Sequence, residues 1–229
     1  MKLEPLGDAA VLVTLGAGID EATFADVLDF SDNLVAARRP GITDVVPAYA
    51  TVTVFYDPAA IAGGSGDPYE AACAFINSCV GRPSRAPFRS PPKLVEIPVC
   101  YASTFAPDLE EVAAHARMSA GDVVALHSGA EYRVHAIGFT PGFPYLGGLP
   151  PALRMPRRGT PRLHVPAGSV AIGGAQTGIY PVDSPGGWQI IGRTPLHLFR
   201  PDQQPAALLR PGDRVQFKPI WASEFASWT

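Results

Sequence analysis

A segment rich in glycine and proline, residues 138–195, constrains this chain more than any other stretch. Twelve of the 23 glycines and ten of the 25 prolines lie in these 58 residues. Glycine permits a positive φ and a close approach of the backbone, whereas proline fixes φ and removes an amide donor. The segment is therefore predicted to contain no long helix, and any strands in it should be short and bent.

The same segment carries large apolar side chains that a flexible linker lacks. They are Phe139, Phe143, Tyr145, Ile172, Ile179, Tyr180 and Trp188. Aromatic residues spaced among constrained turns indicate a shaped surface or pocket wall, and burial in a core is the alternative for each single ring.

Positive charge is concentrated in this segment. Five arginines accompany a single acid, Asp183, which gives a local charge of +4 in a chain whose net charge is −3. The arginines are Arg154, Arg157, Arg158, Arg162 and Arg193. Such a concentration indicates an anion-binding face, which we take as the functional surface.

Composition and length exclude several classes of protein. At 229 residues and 47% apolar content, the chain has enough material for one large or two small domains. No apolar run approaches 18 residues and no signal peptide is evident, so we expect neither a membrane span nor secretion. A pI near 5.9 without a basic tail argues against nucleic acid as a partner. Three cysteines without metal-ligand spacing indicate reduced thiols in a cytoplasmic protein and no metal site.

The first 82 residues read as an α+β unit of ferredoxin-like type. Apolar runs at 3–6 and 10–15 and β-branched runs at 42–46 and 51–56 predict strands. Asp20 and the pair Asp67-Pro68 begin two predicted helices. The polar, proline-rich residues 83–92 then predict a linker between two domains.

Residues 93–229 predict a mostly β domain, a closed or nearly closed barrel. Expected strands are 93–100, with Pro98 near a sheet edge, 132–137, 196–199 and 214–217. A capping-box-like start at Asp108 predicts a short helix, and Ser119 begins another.

No standard nucleophile motif is present, so candidate catalytic groups rest on single residues. His127, His135 and His164 are candidates for acid–base chemistry, and a purely structural role is the alternative for each. Ser169 and Ser184 lie in glycine-rich turns, where bonding to their own backbone is the alternative. Gln176 and Thr177 add donors and acceptors between glycines. We take His127, Gln176 and Thr177 as the catalytic candidates.

The stretch PRRGTPR is the stronger signal, because planar guanidinium groups bind carboxylate or phosphate through two parallel hydrogen bonds. We predict that Arg157 and Arg162 are surface groups aimed at one anionic ligand; ordinary loop charges are the alternative. The substrate-binding candidates are Phe139, Phe143, Tyr145, Arg157, Arg162, Ser169, Tyr180 and Trp188.

Four blocks resemble the signature stretches of the KipI / allophanate hydrolase subunit 1 family. They are GFTPGFPYLGGL, PRRGTPR, VPAGSVAIGGAQTGIYP and SPGGWQIIGRTPLHLF. The resemblance extends over essentially the whole chain, with Ala106 where that family leads us to expect glycine. It implies an N-terminal ferredoxin-like domain and a C-terminal cyclophilin-like β-barrel.

The resemblance also implies a function in a complex. Members of the PxpB-like branch act as the B-type subunit of an ATP-dependent 5-oxoprolinase, with a KipA-like (allophanate hydrolase subunit 2 type) partner and a third subunit, and open 5-oxoproline to L-glutamate. The alternatives that it implies are a urea carboxylase-type carboxyltransferase module and an inhibitor of a sensor histidine kinase. ATP is then used by the complex, and the chain alone is expected to be inactive.

Overall fold

The computed structural model describes residues 1–62, 66–81 and 92–228. The chain divides into two compact units, Met1–Pro91 and Pro92–Thr229. The predicted linker, 83–92, lies outside the described residues except for its last position, so the linker stays a prediction. No helix within the described residues has the length and apolar character needed to span a membrane.

The first unit is a four-stranded antiparallel sheet with helices. Its elements are β1 (Lys2–Pro5), β2 (Ala10–Thr14), α1 (Glu21–Ala36), β3 (Ile42–Ala48), β4 (Thr51–Tyr56), α2 (Pro58–Ile61) and α3 (Pro68–Ser78). The strand order is β1-β2-β4-β3. Asp20 and Asp67 cap α1 and α3 as predicted, accepting the amides of Thr23 and Tyr69 at 2.9 and 2.8 Å. Each cap satisfies an amide that the first helical turn leaves unpaired.

The apolar face of this sheet packs against the helices. Val11, Val13, Val52 and Val54 alternate inward along the central strands and are fully buried. Phe24, Val27 and Leu34 bury one stripe of α1 in the same core.

In the described part of the second unit, seven strands close into a barrel. The unit's elements are β5 (Leu94–Cys100), α4 (Leu109–Ala116), α5 (Ala120–Gly129), β6 (Glu131–Ile137), β7 (Pro144–Gly147), β8 (Arg162–Val165), β9 (Ser169–Gly173), β10 (Gln176–Ile179), β11 (Ser184–Gly186), β12 (Gln189–Arg193), β13 (Arg214–Ile220) and α6 (Ala222–Ala226). The barrel order is β10-β7-β6-β13-β5-β12-β9, and β8 pairs with β11 in a separate ribbon. The predicted fold class, an α+β part with a mostly β barrel, is confirmed.

The strands of the glycine- and proline-rich segment have three to five residues each, as predicted. The barrel interior is filled by branched and aromatic side chains. They include Ile97, Val99, Val134, Leu146, Ile172, Ile179, Ile191, Val215 and Phe217.

Three local predictions were wrong. Residues 196–199 form no strand, since Phe199 makes only an isolated bridge to Ala207. Pro98 is not at a sheet edge: β5 lies inside the closed barrel, where it pairs fully with β13 and meets β12 only at Cys100. A proline is tolerated there because the β12 side of β5 has almost no ladder. Finally, Asp108 precedes α4 but makes no side-chain cap.

Candidate functional site

An aromatic cluster covers the outer wall of the barrel where β7, β10, β9 and β12 lie side by side. Phe143, Tyr180 and Trp188 are almost fully buried in it, and Tyr145 packs against them. Two strand glycines make room for the rings. A Cβ at Gly173 would lie 2.5 Å from the indole of Trp188, and one at Gly178 would lie 2.9 Å from the ring of Phe143. The rings therefore lie directly on the strand backbone.

The rings of this cluster meet edge to face. The centroid of Phe143 lies 5.6 Å from that of Trp188 and 5.2 Å from that of Tyr180, with the planes nearly perpendicular. Tyr145 lies 4.9 Å from Phe143 and 5.9 Å from Trp188. Such geometry sets the negative face of one ring against the positive edge of the next, so the wall is rigid.

Phe139 stands at the solvent side of the cluster. Its ring centroid is 5.6 Å from Phe143 and 6.4 Å from Tyr180, yet 62% of the residue is exposed. Its φ of 67° lies in the left-handed region, which is unfavourable for a bulky residue. A strained, exposed aromatic beside a buried cluster marks a surface that is available to a ligand or partner.

Arg157 places a positive charge over this wall. Its guanidinium carbon lies 5.7 Å from the ring of Trp188, within cation–π range. Burial raises the pKa of Tyr145 and of Tyr180, and the nearby charge of Arg157 opposes both increases. Arg157 is exposed, and no acidic side chain pairs with it among the described residues. It is thus able to bind an anion.

Arg162 and Arg158 have a different environment, because both contact the buried carboxylate of Asp108. Arg162 donates to the two oxygens of Asp108 at 2.9 and 2.6 Å, and Arg158 donates to one of them at 3.0 Å. Arg162 is thus a partly buried group whose charge is paired within the chain, and its predicted role in binding the same anionic ligand as Arg157 stays a prediction. A bidentate pair of this kind fixes the orientation of both partners.

His127 and Thr177, two of the catalytic candidates, meet inside the barrel. Nε2 of His127 lies 3.0 Å from Oγ1 of Thr177, and Nδ1 lies 2.9 Å from the hydroxyl of Tyr101. The imidazole also stacks on Phe217 at 4.5 Å. Both His127 and Thr177 are completely buried.

The hydrogen bonds around His127 determine which of its two ring nitrogens carries the proton. Thr177 donates its hydroxyl hydrogen to the carbonyl of Ala171 at 3.0 Å, so it can only accept from Nε2–H of His127. Nδ1 is then unprotonated and accepts from Tyr101. Burial lowers the pKa of His127 to about 3, which keeps this tautomer neutral. Both ring nitrogens are hydrogen-bonded within the barrel, so the geometry favours a structural role for His127. Its catalytic role stays a prediction.

Gln176, the third catalytic candidate, is on the other side of the barrel wall. Successive residues of a strand point to opposite faces, so Gln176 shares the outer face with Gly178 while Thr177 points inward. Gln176 pairs with Gly173, the glycine beneath Trp188. The structure therefore brings Gln176, but not His127 or Thr177, to the aromatic wall.

The remaining polar candidates are spread over the unit. Ser169 is buried and donates its hydroxyl to the carbonyl of Pro166 at 2.7 Å, which is the turn bonding considered as its alternative. His164 is exposed and lies 3.7 Å from Asp183. His135, in β6, is buried against Gly147 of the neighbouring strand β7. Among the described residues, no cluster of histidine, cysteine and acidic side chains could hold a metal ion.

Two residues of these networks are not among the sequence candidates. The pattern around Asp108 indicates a helix cap, and no pattern points to Tyr101. Asp108 lies 50 residues before Arg158, so no local motif connects them. The one signal in the sequence is the charge imbalance of the 138–195 segment, which indicates that an acid from elsewhere in the chain neutralises part of it.

Comparison with known proteins places the chain in a family. Residues 1–209 match the family described as carboxyltransferase domain, subdomain C and D. The B-type subunit of 5-oxoprolinase from Bacillus subtilis (strain 168) is 39% identical, and the alignment covers 99% of this chain and 96% of that protein. The chain belongs to this carboxyltransferase domain family. The resemblance to the KipI / allophanate hydrolase subunit 1 family is confirmed.

Solved structures agree with this family. TTHA0988 is 40% identical with a TM-score of 0.79; the match covers 92% of this chain and 40% of that longer chain. The urea carboxylase of Kluyveromyces lactis has a TM-score of 0.76 at 20% identity, covering 98% of this chain and 22% of the enzyme, which shows the fold alone. In both proteins this carboxyltransferase fold is one part of a larger chain.

Proposed function

We propose that this chain is the B-type subunit of a multi-subunit, ATP-dependent 5-oxoprolinase that opens 5-oxoproline to L-glutamate. The observation that carries the proposal is the full-length match to the 5-oxoprolinase subunit of Bacillus subtilis. Partial matches at 58% and 54% identity to subunits of the same type from Escherichia coli O157:H7 and Haemophilus influenzae support it.

The chemistry of the substrate fits the arginine–aromatic surface. 5-Oxoproline carries a carboxylate beside a flat five-membered lactam ring. We assign to Arg157 the binding of this carboxylate, or of an anionic group formed during activation, through charge-assisted hydrogen bonds, because its guanidinium is exposed over Trp188. The exposed ring of Phe139 and the half-buried ring of Tyr145 offer an apolar wall for the ring. Gln176 adds an amide on the same face of the barrel.

Hydrolysis of the lactam needs more than this surface. The C–N bond breaks, water supplies a hydroxyl to the carbonyl carbon, and the nitrogen gains a proton. An amide is unreactive, so we assign its activation to ATP consumed by the complex. The described residues bring together no nucleophile and base on the aromatic wall. A KipA-like subunit and a third subunit are therefore proposed to complete the site, and the chain alone is proposed to be inactive.

A urea carboxylase-type carboxyltransferase is the second candidate. The description of the matched family as a carboxyltransferase domain favours it. Both reactions handle a small anionic intermediate, so Arg157 serves either one. Three free cysteines support our further proposal of a reducing, cytoplasmic location.

Reconstitution tests the proposed function. The chain is combined with the KipA-like and third subunits from the same source, and glutamate release from 5-oxoproline is measured with and without ATP. We expect ATP-dependent release from the three-subunit mixture and none from this chain alone. Transfer of carboxyl from biotin to urea, without 5-oxoproline opening, would favour the carboxyltransferase instead. Turnover by the isolated chain would contradict a shared site.

A further inference from the structure

The carboxylate of Asp108 is the centre of a buried network that the proposed function leaves unused. It accepts four hydrogen bonds: two from Arg162, one from Arg158, and one from the backbone amide of Ile190 at 2.6 Å. The side chain of Asp108 is 3% exposed, whereas those of Arg158 and Arg162 are about one-third and one-quarter exposed. One buried anion thus holds two cations of the loop 157–162.

Backbone hydrogen bonds hold both Asp108 and the loop 157–162 against neighbouring segments. The amide of Asp108 donates to the carbonyl of Ile190 at 3.0 Å, which joins the start of α4 to β12. The amide of Arg158 donates to the carbonyl of Gly187 at 2.7 Å, directly before Trp188. Arg157 therefore precedes a residue whose main chain and side chain are both held in place.

We infer that Asp108 is a positioning residue: by holding Arg158 and Arg162 it keeps the guanidinium of Arg157 over Trp188, where Arg157 binds the anionic group of the substrate. The inference rests on the proposed function for the identity of that substrate. Asp108 takes up two of the three arginines of the loop, and Arg157 is left as the group that faces a ligand. Arg158 also lies 3.7 Å from Glu111, but that carboxylate is 60% exposed and is not part of the buried network around Asp108.

The variant Asp108→Asn tests the charge of Asp108 while the packing of its side chain is kept. Asparagine has the same shape and keeps an acceptor for the amide of Ile190, but it loses the charge that pairs with two arginines. Glu111→Gln is the matched control, since it removes a neighbouring carboxylate that is not part of the buried network. Asp108→Glu restores the charge on a longer side chain.

Kinetics of the reconstituted complex provide the first readout. We expect Asp108→Asn to raise KM for 5-oxoproline about tenfold while kcat changes by less than about threefold, because a displaced Arg157 weakens ground-state and transition-state binding alike. Asp108→Glu should recover part of the loss, and Glu111→Gln should match the wild type. A folded Asp108→Asn variant with wild-type KM would overturn the inference.

Fluorescence of Trp188 provides a readout that does not need activity. Trp221→Phe and Trp228→Phe leave Trp188 as the one tryptophan of the chain, and both replaced residues are largely exposed. In this single-tryptophan background, the Arg157→Ala variant gives the reference emission of Trp188 in the absence of the guanidinium group. Asp108→Asn should reproduce that emission, whereas Glu111→Gln should not. Wild-type emission in a folded Asp108→Asn protein contradicts positioning.

The two readouts distinguish failure of the inference from failure of the proposed function. If the wild-type complex has no 5-oxoprolinase activity, the proposed function fails and the emission of Trp188 still decides the role of Asp108. If Asp108→Asn does not fold, Arg158→Gln takes its place, because the bidentate pair with Arg162 remains. A smaller change of emission in the same direction is then expected, and unchanged emission overturns the inference.

Discussion

Arg157 and Arg162 lie five positions apart, yet their guanidinium groups have different surroundings. Arg157 is exposed above an indole ring, and Arg162 is paired with a buried carboxylate. Truncation of Arg162 leaves Asp108 with one charged partner instead of two, whereas truncation of Arg157 leaves no buried charge unpaired. The two arginines should therefore differ in their effect on stability.

Stability measurements on Arg157→Ala and Arg162→Ala test this difference. We expect Arg162→Ala to lower the free energy of unfolding by about 2–4 kcal/mol, close to the cost of breaking a buried pair. Arg157→Ala should change it by less than about 0.5 kcal/mol, as is usual for surface substitutions. Urea titration provides both values. Equal losses of unfolding free energy in the two variants would contradict a stabilising pair between Arg162 and Asp108.

His127 makes the stability of the second unit depend on pH. Its folded pKa of about 3 lies below the ordinary value near 6.5, so the unfolded chain binds one more proton between these limits. The stability that His127 provides is complete above about pH 6.5. It decreases by about 1.4 kcal/mol per pH unit as the pH falls toward 3.

The variant His127→Gln isolates this effect, since its amide can replace both hydrogen bonds of the imidazole without titrating. Between pH 7 and pH 4.5, the wild type should lose about 2–3 kcal/mol more unfolding free energy than His127→Gln. Urea titrations at several pH values measure the difference. A constant gap between the two proteins would mean that the pKa of His127 is not lowered by folding.

At the scale of elements, the outer wall of the barrel depends on glycine in β9 and β10. Gly173→Ala should push the indole of Trp188 from its place and lower the free energy of unfolding by about 1–3 kcal/mol, the usual cost of overpacking. Gly159→Ala is the control, because a Cβ there meets no atom within 4 Å. Unfolding curves and Trp188 emission report both effects. Equal stability of the two variants would show that the indole does not need Gly173.

Local patterns in the sequence predicted most elements of the fold. The caps at Asp20, Asp67 and Ser119 were visible because capping depends on residues two or three positions away. The short strands of 138–195 followed from the positions of glycine and proline. Contacts between distant segments were not predictable in this way, since Asp108 meets Arg162 across 54 residues. For the same reason, the sequence did not show that Gln176 and His127 lie on opposite faces of the barrel wall.

At the scale of the whole molecule, function and charge are unevenly distributed. The chain has a net charge of −3, while the segment 138–195 carries +4 before Asp108 is considered. Arg157, one of the exposed arginines of that segment, lies over Trp188 in the aromatic cluster, and the exposed ring of Phe139 packs against Phe143 and Tyr180 of the same cluster. An open face with a cation and aromatic rings, but no complete catalytic set among the described residues, is consistent with a site that other subunits complete.

The most direct test of this account is the kcat/KM for 5-oxoproline of the reconstituted complex carrying Arg157→Ala. Arg214→Ala, which removes an exposed arginine from β13, is the control. We predict a decrease of about ten- to a hundredfold for Arg157→Ala, because a desolvated hydrogen bond to a charged group contributes about 1.5–3 kcal/mol. Arg157→Lys should recover only part of the activity, and Arg214→Ala should behave as the wild type. Full activity of Arg157→Ala would contradict the assignment of the functional surface to this face of the barrel.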